Sequence, residues 1–261
     1  MININVEEVC ALYNSGLSLR EVSKLFDVSF KPIMRILKNN NVARRQSAYT
    51  LDECYFNNID TPEKAYILGL LYADGGLRED AYSISITLQE KDKDILDKIN
   101  KLLGSDRVLY FTPKPNEKCQ NYYTLCICNK QMCSDLIKHG VTQNKTFLLR
   151  LPQIDNKLFF DFIRGYFDGD GYVYFDKRRA KTGSWGIVSN KIFCEDIKRH
   201  LDTLNINSRI YIHSTRNPLS AELRIGKCSE LEKIFSLMYN NSTIHFDRKY
   251  NKFSDFLSRT K

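Results

Sequence analysis

Residues 67–75 read ILGLLYADG, and residues 163–171 read IRGYFDGDG. Each stretch carries small residues four positions apart, which places them on one face of a helix. Such a face lets the backbone of a second helix come close. At one constant offset the two stretches match at four pairs: Gly69 with Gly165, Ala73 with Gly169, Asp74 with Asp170, and Gly75 with Gly171. The repeat predicts two helices that pack against each other.

Each predicted helix ends in an aspartate followed by a glycine. Glycine just past a helix end usually adopts the left-handed conformation that stops the helix. An aspartate in the last turn faces the negative end of the helix dipole, which costs about 0.3–1 kcal/mol. Packing the helices would also bring Asp74 and Asp170 together, which is unfavourable unless a cation lies there. The alternative is two core helices with ordinary glycine ends, and the repetition in register argues against it.

These residues resemble the two signature motifs of the LAGLIDADG homing endonucleases, in the single-chain form that carries both copies. The resemblance covers roughly residues 61–255, and the sixth motif position varies, being Tyr72 in one copy and Asp168 in the other. It implies that Asp74 and Asp170 hold Mg²⁺, with one carboxylate for each DNA strand that is cut. Backbone carbonyls of Ala73 and Gly169 are implied to add to the metal site. Mg²⁺ is the implied cofactor because hard cations prefer oxygen ligands and lower the pKa of bound water.

The chain has 261 residues, with 39 Lys and Arg against 31 Asp and Glu, and its net charge is +8. A basic surplus favours polyanionic partners but is also compatible with many other soluble proteins. The eight cysteines lack C-x-x-C spacing and indicate free, buried thiols in a reducing compartment. The apolar run 66–73 is too short for a membrane span, which takes about 20 residues. We expect a soluble intracellular protein, in a bacterial or phage-infected cytoplasm or an organelle.

Residues 1–47 carry three helical patterns and resemble a helix-turn-helix domain. Ser18 and Glu21 have the spacing of a capping box at the second helix. The third helix would enter the major groove and present Lys31, Arg35 and Lys38. The alternative is a small helical cap on the main domain.

The segment 48–60 reads as a linker that follows this domain, and basic residues stand just before it. Arg44 and Arg45 suit a phosphate backbone or a minor groove, as in extended basic arms. A plain solvated segment is the alternative for these two arginines.

The remaining chain repeats one order of elements: helix, two strands, helix, two strands, helix. The first half spans 61–140, a second linker spans 141–156, and the second half with a basic tail spans 157–261. The predicted fold class is α+β, with tandem αββαββα halves related by pseudo-twofold symmetry and an N-terminal helix-turn-helix domain. The resemblance implies that the two sheets form a DNA-binding saddle.

The outer faces of the predicted strands supply the candidate DNA contacts. In 82–89, apolar and small polar residues alternate, which indicates a strand with one buried face. Family members lay such sheets in the major groove, where outward side chains read bases and phosphates. The candidate residues are Ser83, Ser85 and Thr87 in the first half, Arg209, Tyr211, His213 and Arg224 in the second, and the basic loop Lys177, Arg178, Arg179 and Lys181.

Further site residues are implied by the resemblance alone. Family members place a lysine near the end of the last strand of each half, and Lys130 and Lys227 stand at that point. They would polarise water or stabilise charge, or else be ordinary strand-end lysines. Gln89 and Asn190 occupy turns where the family often has a polar residue that positions water.

The sequence thus predicts a site-specific, Mg²⁺-dependent double-strand DNA endonuclease that acts as a monomer. The alternative is a non-cleaving DNA-binding regulator or an RNA-splicing maturase on the same scaffold. A binder is free to lose either aspartate, and this chain keeps both.

Overall fold

The computed structural model describes residues 4–42, 49–117, 119–143, 149–176, 178–179, 182–212 and 220–260. The chain forms two compact units, residues 1–48 and 49–261. Within the described ranges, no helix is long and apolar enough to cross a membrane. All eight cysteines are free thiols, as predicted, but only Cys133 and Cys194 are buried.

The N-terminal unit contains three helices around a small apolar core. They are α1 (Val6–Asn14), α2 (Leu19–Leu25) and α3 (Phe30–Asn39). The predicted capping box at α2 is present, since Ser18 and Glu21 each bond the backbone N–H of the other. The core residues are Val9, Tyr13, Val22, Ile33 and Leu37. Lys31, Arg35 and Lys38 remain exposed on α3, at spacings that share one helix face.

The first half of the main unit has the predicted order of elements. It comprises α4 (Pro62–Asp74), β1 (Gly75–Arg78), β2 (Ser83–Gln89), α5 (Lys93–Leu102), β3 (Tyr110–Thr112), β4 (Tyr122–Cys128) and α6 (Lys130–Lys138). Thr61 caps α4 by accepting from the Lys64 N–H, and Pro62 is the first helical residue. The four strands form one antiparallel sheet in the order β1-β2-β4-β3.

The second half repeats this order. It comprises α7 (Phe159–Asp170), β5 (Gly171–Phe175), β6 (Gly183–Asn190), α8 (Lys191–Thr203), β7 (Arg209–Ile212), β8 (Ser220–Ile225) and α9 (Cys228–Tyr239). Its antiparallel sheet has the order β5-β6-β8-β7, which is the same topology. The predicted tandem arrangement of α, β, β, α, β, β and α elements is confirmed.

A further helix, α10 (Asp247–Thr260), follows α9 where the sequence predicts only a basic tail. Phe253 and Phe256 of α10 are buried, and the Phe256 ring stacks on Phe175 of β5 at 3.8 Å. The aromatic residues of this helix therefore belong to the core, and only its polar face is basic.

Residues 49–60 also differ from the predicted linker, because they pack on the main unit. Tyr55 and Phe56 are buried in its core. The Asp52 N–H donates to the Leu103 carbonyl at 2.9 Å. Burial of two aromatic side chains explains why this segment is ordered against the first half.

The two motif helices, α4 and α7, contact each other through their small residues. A β-carbon on Gly165 would lie 1.9 Å from the Tyr66 carbonyl oxygen, and one on Gly69 would lie 2.0 Å from the Phe162 carbonyl oxygen. These separations are far below van der Waals contact, so only glycine permits this approach of the two backbones. The predicted helix pair is confirmed.

Gly75 and Gly171 do not form the left-handed helix ends that the sequence predicts. Both have extended backbones, with φ of −75° and −93°, and each starts a strand. Their need for glycine is steric, because a β-carbon on Gly75 would lie 2.5 Å from the Leu71 carbonyl oxygen and one on Gly171 would lie 2.2 Å from the Phe167 ring.

Candidate active site

The helix pair brings the two motif aspartates together at its carboxyl end. A β-carbon on Gly169 would lie 2.4 Å from the Ala73 β-carbon and 3.0 Å from Oδ2 of Asp74. Asp170 follows Gly169 directly, so both carboxylates stand where the helices end. Both aspartates are exposed to solvent. Two carboxylates at the negative ends of two helix dipoles create a site with strong negative potential.

Lys249 of α10 lies beneath this site and was not singled out from the sequence. Its ammonium group donates to the carbonyls of Phe167 at 2.5 Å, Gly171 at 2.6 Å and Gly169 at 3.3 Å. The residue is only 8% exposed. Burial lowers the pKa of Lys249 to about 8, while the neighbouring carboxylates of Asp168, Asp74 and Asp170 oppose this shift. Lys249 therefore holds the last turn of α7 and places positive charge beside the acidic pair.

The sixth motif position anchors the motif helix in both halves, through a carboxylate in one and a hydroxyl in the other. Oδ2 of Asp168 accepts 2.8 Å hydrogen bonds from the Tyr66 hydroxyl and from the Phe246 N–H. Burial raises the pKa of Asp168 to about 6. In the first half the Tyr72 hydroxyl donates to the His139 carbonyl at 2.6 Å. Each side chain ties its motif helix to the segment that follows the last helix of the same half.

Arg164 holds in place the segment that connects α9 to α10. The residue is 1% exposed, and it donates to the carbonyls of Met238 at 2.5 Å and Ile244 at 3.0 Å. It also pairs with Asp161 at 2.8 Å. A buried guanidinium that bonds two backbone carbonyls positions the chain from which Lys249 reaches the site.

The strand-end lysines, Lys130 and Lys227, lie away from the acidic pair. β4 and β8 run in the same direction as β1 and β5, and therefore away from the aspartates. Leu125 lies at the level of Gly75, and Leu223 lies at the level of Gly171. From there β4 and β8 continue for about 7–10 Å at ~3.3 Å per residue. The Lys130 ammonium lies over the Tyr82 ring, 5.7 Å from its centroid. The prediction placed these lysines near the acidic pair because they follow the last strand of each half. That end of the strand lies far from the aspartates.

Asn190 and Gln89 differ in their surroundings. Asn190 is 4% exposed and caps α8, since its Oδ1 accepts from the Phe193 N–H at 2.8 Å. Its Nδ2 donates to the Leu149 carbonyl at 3.1 Å, so the fold uses both ends of this amide. Gln89 is half-buried, and its Oε1 is buried without a hydrogen-bond partner among the described residues. Of these two side chains, only Gln89 has an amide oxygen without a hydrogen-bond partner among the described residues.

The predicted alternation of the sheet faces is present. Ile84, Ile86 and Leu88 are buried, whereas Thr87 is exposed and bonds Thr124 of β4 at 2.9 Å. The outer faces of the sheets further carry Ser83, Ser85, Arg209, Tyr211 and Arg224, and the exposed loop residues Arg178 and Arg179 lie after β5. Five candidate residues lie outside the described part of the chain: Arg44, Arg45, Lys177, Lys181 and His213.

The donor set suits a hard divalent cation that keeps some of its water. No group of three or more His, Cys, Asp or Glu side chains able to hold a metal occurs in the described residues. Asp74 and Asp170 supply carboxylate oxygens, and the Gly169 carbonyl already accepts a long bond from Lys249. Mg²⁺ is typically bound by one or two carboxylates, with waters and phosphate oxygens as its remaining ligands.

Part of this chain is similar to known proteins. Residues 160–237 match the family described as the LAGLIDADG-like domain. The isomerizing glutamine–fructose-6-phosphate aminotransferase of Methanocaldococcus jannaschii is 24% identical over 206 residues, which are 74% of this chain and 18% of that protein. An uncharacterized protein of the same organism is 25% identical over 163 residues, 60% of each chain. The chain spans less than two thirds of both curated relatives.

Solved structures of LAGLIDADG homing endonucleases have a similar fold. The I-LtrWI LAGLIDADG homing endonuclease bound to target DNA has a TM-score of 0.50 at 14% identity, covering 78% of this chain and 89% of its own. The I-GzeII LAGLIDADG homing endonuclease in complex with its DNA target has a TM-score of 0.50 at 10% identity, covering 76% and 89%. The mixed helix and sheet fold therefore matches that of LAGLIDADG endonucleases.

Proposed function

We propose that this protein is a site-specific homing endonuclease that hydrolyses both strands of a long double-stranded DNA target with Mg²⁺. The observation that carries the proposal is the meeting of Asp74 and Asp170 at the carboxyl ends of two glycine-packed helices. Such a placement is unfavourable in a helix pair of purely structural function. It suits a site that gathers a divalent cation and a phosphodiester.

Asp74 and Asp170 would hold the cation, one carboxylate for each strand that is cut. A divalent cation bound there supplies Lewis-acid polarisation of the scissile phosphate and lowers the pKa of a bound water. Lys249 keeps the last turn of α7 in place through three carbonyls, and thereby fixes the backbone of Asp170. Gln89 would position a water through its Oε1, which has no hydrogen-bond partner among the described residues.

Duplex DNA would lie along the outer faces of the two sheets. Ser83, Ser85 and Thr87 present small hydroxyls there, whereas Arg209, Tyr211 and Arg224 present charge and aromatic surface. Arg178 and Arg179 suit phosphates next to β5. Lys130 and Lys227 have no catalytic part in this proposal, because the sheet register separates them from the carboxylates.

The N-terminal unit would extend the DNA contact through α3. Lys31, Arg35 and Lys38 share an exposed face of this helix, above a core formed by Ile33 and Leu37. A helix of this length with three basic side chains on one face fits the major groove.

The second candidate function is a DNA-binding regulator, or an RNA-splicing maturase, that uses the fold without cutting. The retention of both aspartates favours the nuclease. The test is to incubate the full chain and Mg²⁺ with DNA that carries its own uninterrupted insertion site. We expect a staggered double-strand cut, and folded protein that binds this DNA without cutting it would support the regulator instead.

A further inference from the structure

Tyr110 on β3 and Tyr211 on β7 occupy equivalent positions in the two sheets. Each pairs with the neighbouring strand at the same level, one residue beyond the level of the glycine that follows the motif helix. Their exposed fractions are 53% and 40%. Each sheet thus presents a tyrosine at a matched point of its outer face.

Arg224 of β8 lies against the second of these tyrosines. Its guanidinium carbon is 4.7 Å from the centroid of the Tyr211 ring. Its Nε donates to Oε1 of Glu222 at 2.7 Å and to the Tyr172 hydroxyl at 3.1 Å. The Arg224 side chain is still 41% exposed. The guanidinium is therefore held at Nε and by a ring face, while a large part of it meets solvent.

Glu222 is unusual for a residue on an outer sheet face, because its exposed fraction is only 2%. Tyr172 and Arg224 both bond its carboxylate. A β-carbon on Gly186, which pairs with both of these residues, would lie 2.6 Å from the Tyr172 ring, so that position must be glycine for the ring to lie there. A carboxylate buried in this way is retained at the cost of its hydration, and its partners must be well oriented to offset that cost.

Arg107 makes the corresponding contact in the first sheet, although it comes from the segment before β3. Its guanidinium carbon lies 5.4 Å from the Tyr110 ring centroid and 4.9 Å from the Tyr49 ring centroid. One terminal nitrogen donates to the Tyr110 hydroxyl at 2.6 Å. Burial is the main cause that raises the pKa of the Cys126 thiol, and the charge of Arg107 opposes it. Cys126 occupies in β4 the position that Arg224 occupies in β8.

The two halves therefore place an arginine guanidinium beside the same tyrosine position by different routes. In the second half the arginine comes from the central strand, whereas in the first half it comes from the edge and reaches toward the equivalent strand position. The same guanidinium position is thus reached from two different places in the sequence. This indicates that the position serves a purpose other than the packing of either sheet.

We propose that Arg107 and Arg224 are a matched pair of base-reading residues, each contacting a guanine in the major groove of one half-site. This inference rests on the proposed function, in which duplex DNA lies on the outer faces. Arginine is the residue that bonds guanine O6 and N7 in a bidentate manner. Arg224 is already held by a ring and a carboxylate, and Arg107 by two rings and the Tyr110 hydroxyl. A guanidinium that is held in advance loses little freedom on binding. Glu222 is a positioning residue that acts through Arg224.

The pseudo-symmetry gives the inference a specific form. Because Tyr110 and Tyr211 are equivalent, the two guanines should stand at equal distances from the centre of the target. A preference for guanine at only one of these positions would be incompatible with a matched pair.

The test is selection of bound duplexes from a randomised library by the full-length protein in EDTA, which prevents Mg²⁺-dependent cutting, followed by sequencing. Wild-type protein should enrich a long site with one guanine in each half at mirrored positions. Arg224→Ala should lower the guanine preference at one position by about tenfold or more, and Arg107→Ala should do so at the other. Glu222→Gln should weaken only the preference that depends on Arg224.

Arg199→Ala is the matched control, because Arg199 is an exposed arginine of α8 that pairs with Asp196. It removes the same charge and should leave every base preference unchanged. Equal loss of affinity for all four bases in Arg107→Ala and Arg224→Ala would overturn the inference, while an enriched site would keep the proposed function. If wild-type protein enriches no sequence, the proposed function itself fails.

Discussion

The Tyr66 hydroxyl donates a 2.8 Å hydrogen bond to the carboxylate of Asp168, and this bond joins the two motif helices inside the core. The same oxygen accepts from the Phe246 N–H, so one buried carboxylate ties α4 and α7 to the segment that starts α10. The junction lies two residues before Asp170, the second aspartate of the acidic pair.

Replacement of Asp168 should separate its hydrogen-bonding role from its charge. Asp168→Ala leaves two buried donors without an acceptor and should lower the free energy of unfolding by about 2–4 kcal/mol. Asp168→Asn keeps an acceptor at the same place and should lower it by less than half as much. Urea denaturation at pH 7.5 measures both values, and equal losses would show that the negative charge is what the core requires.

The charge of Asp168 should also appear in the pH dependence of stability. Burial raises its pKa to about 6 in the folded protein, above the ordinary value of 3.8 that applies to the unfolded chain. Between these values the unfolded chain has released the proton that the folded protein keeps, so stability falls as the pH rises from about 4 to about 6. Asp168→Asn lacks this component. In the absence of divalent cations, the wild type should therefore lose stability relative to Asp168→Asn as the pH rises through this window.

Gly165→Ala should destabilise the main unit strongly. Alanine ordinarily favours a helix over glycine by about 1 kcal/mol, but here its β-carbon would lie 1.9 Å from the Tyr66 carbonyl oxygen. Forcing the helices apart should cost about 3 kcal/mol or more. The control is Gly226→Ala, whose β-carbon would meet no atom closer than 3.8 Å and should change stability by less than about 1 kcal/mol. Similar melting temperatures for the two variants would rule out the tight helix contact.

Much of this fold is predictable because local sequence patterns indicate its elements and occur twice in the chain. The glycine and aspartate spacing predicts the helix pair, and the alternation in β2 predicts which face is buried. The backbone of Gly75 was predicted wrongly. The sequence alone does not distinguish a glycine that avoids a clash with a neighbouring carbonyl from one that adopts a positive φ. Lys249 was missed because its burial depends on α10 folding back under α7, a contact between distant parts of the chain. Lys130 and Lys227 were placed by sequence proximity, whereas strand direction decides their distance from the acidic pair.

Lys249→Met should impair cleavage more than binding. The variant removes the ammonium group that bonds the Phe167 and Gly171 carbonyls, so the last turn of α7 should shift and Asp170 with it. Displacement of about 1 Å in a catalytic group can cost about 10²-fold in rate. Single-turnover cleavage and DNA affinity should both be measured, with the exposed Lys252→Met on the same helix as control. Equal cleavage by the two variants would remove Lys249 from the site.

Removal of the three basic side chains of α3 should weaken DNA binding without moving the cut. The triple variant Lys31→Ala, Arg35→Ala and Lys38→Ala should reduce the salt dependence of log Kd by about 0.9 for each phosphate that these side chains neutralise. The control variant replaces the exposed lysines of α5 and of the turn before it: Lys91, Lys98 and Lys101. Both variants remove three charges, so equal reductions in affinity would indicate a general charge effect, and a shifted cut would show that α3 does more than extend the DNA-binding surface.

The acidic pair is tested by cleavage with Asp74→Asn, Asp170→Asn and the double variant, on the uninterrupted insertion site with Mg²⁺. Asparagine keeps the shape and removes the charge, so DNA affinity in EDTA should stay within about threefold of wild type. Loss of the metal ligands should cost several kcal/mol, which corresponds to about a 10³-fold slower cut. Wild-type cleavage in Mg²⁺ that disappears in the double variant is the predicted result. A double variant that folds, binds and still cuts within tenfold of the wild-type rate would contradict the assignment of Asp74 and Asp170 as the catalytic centre.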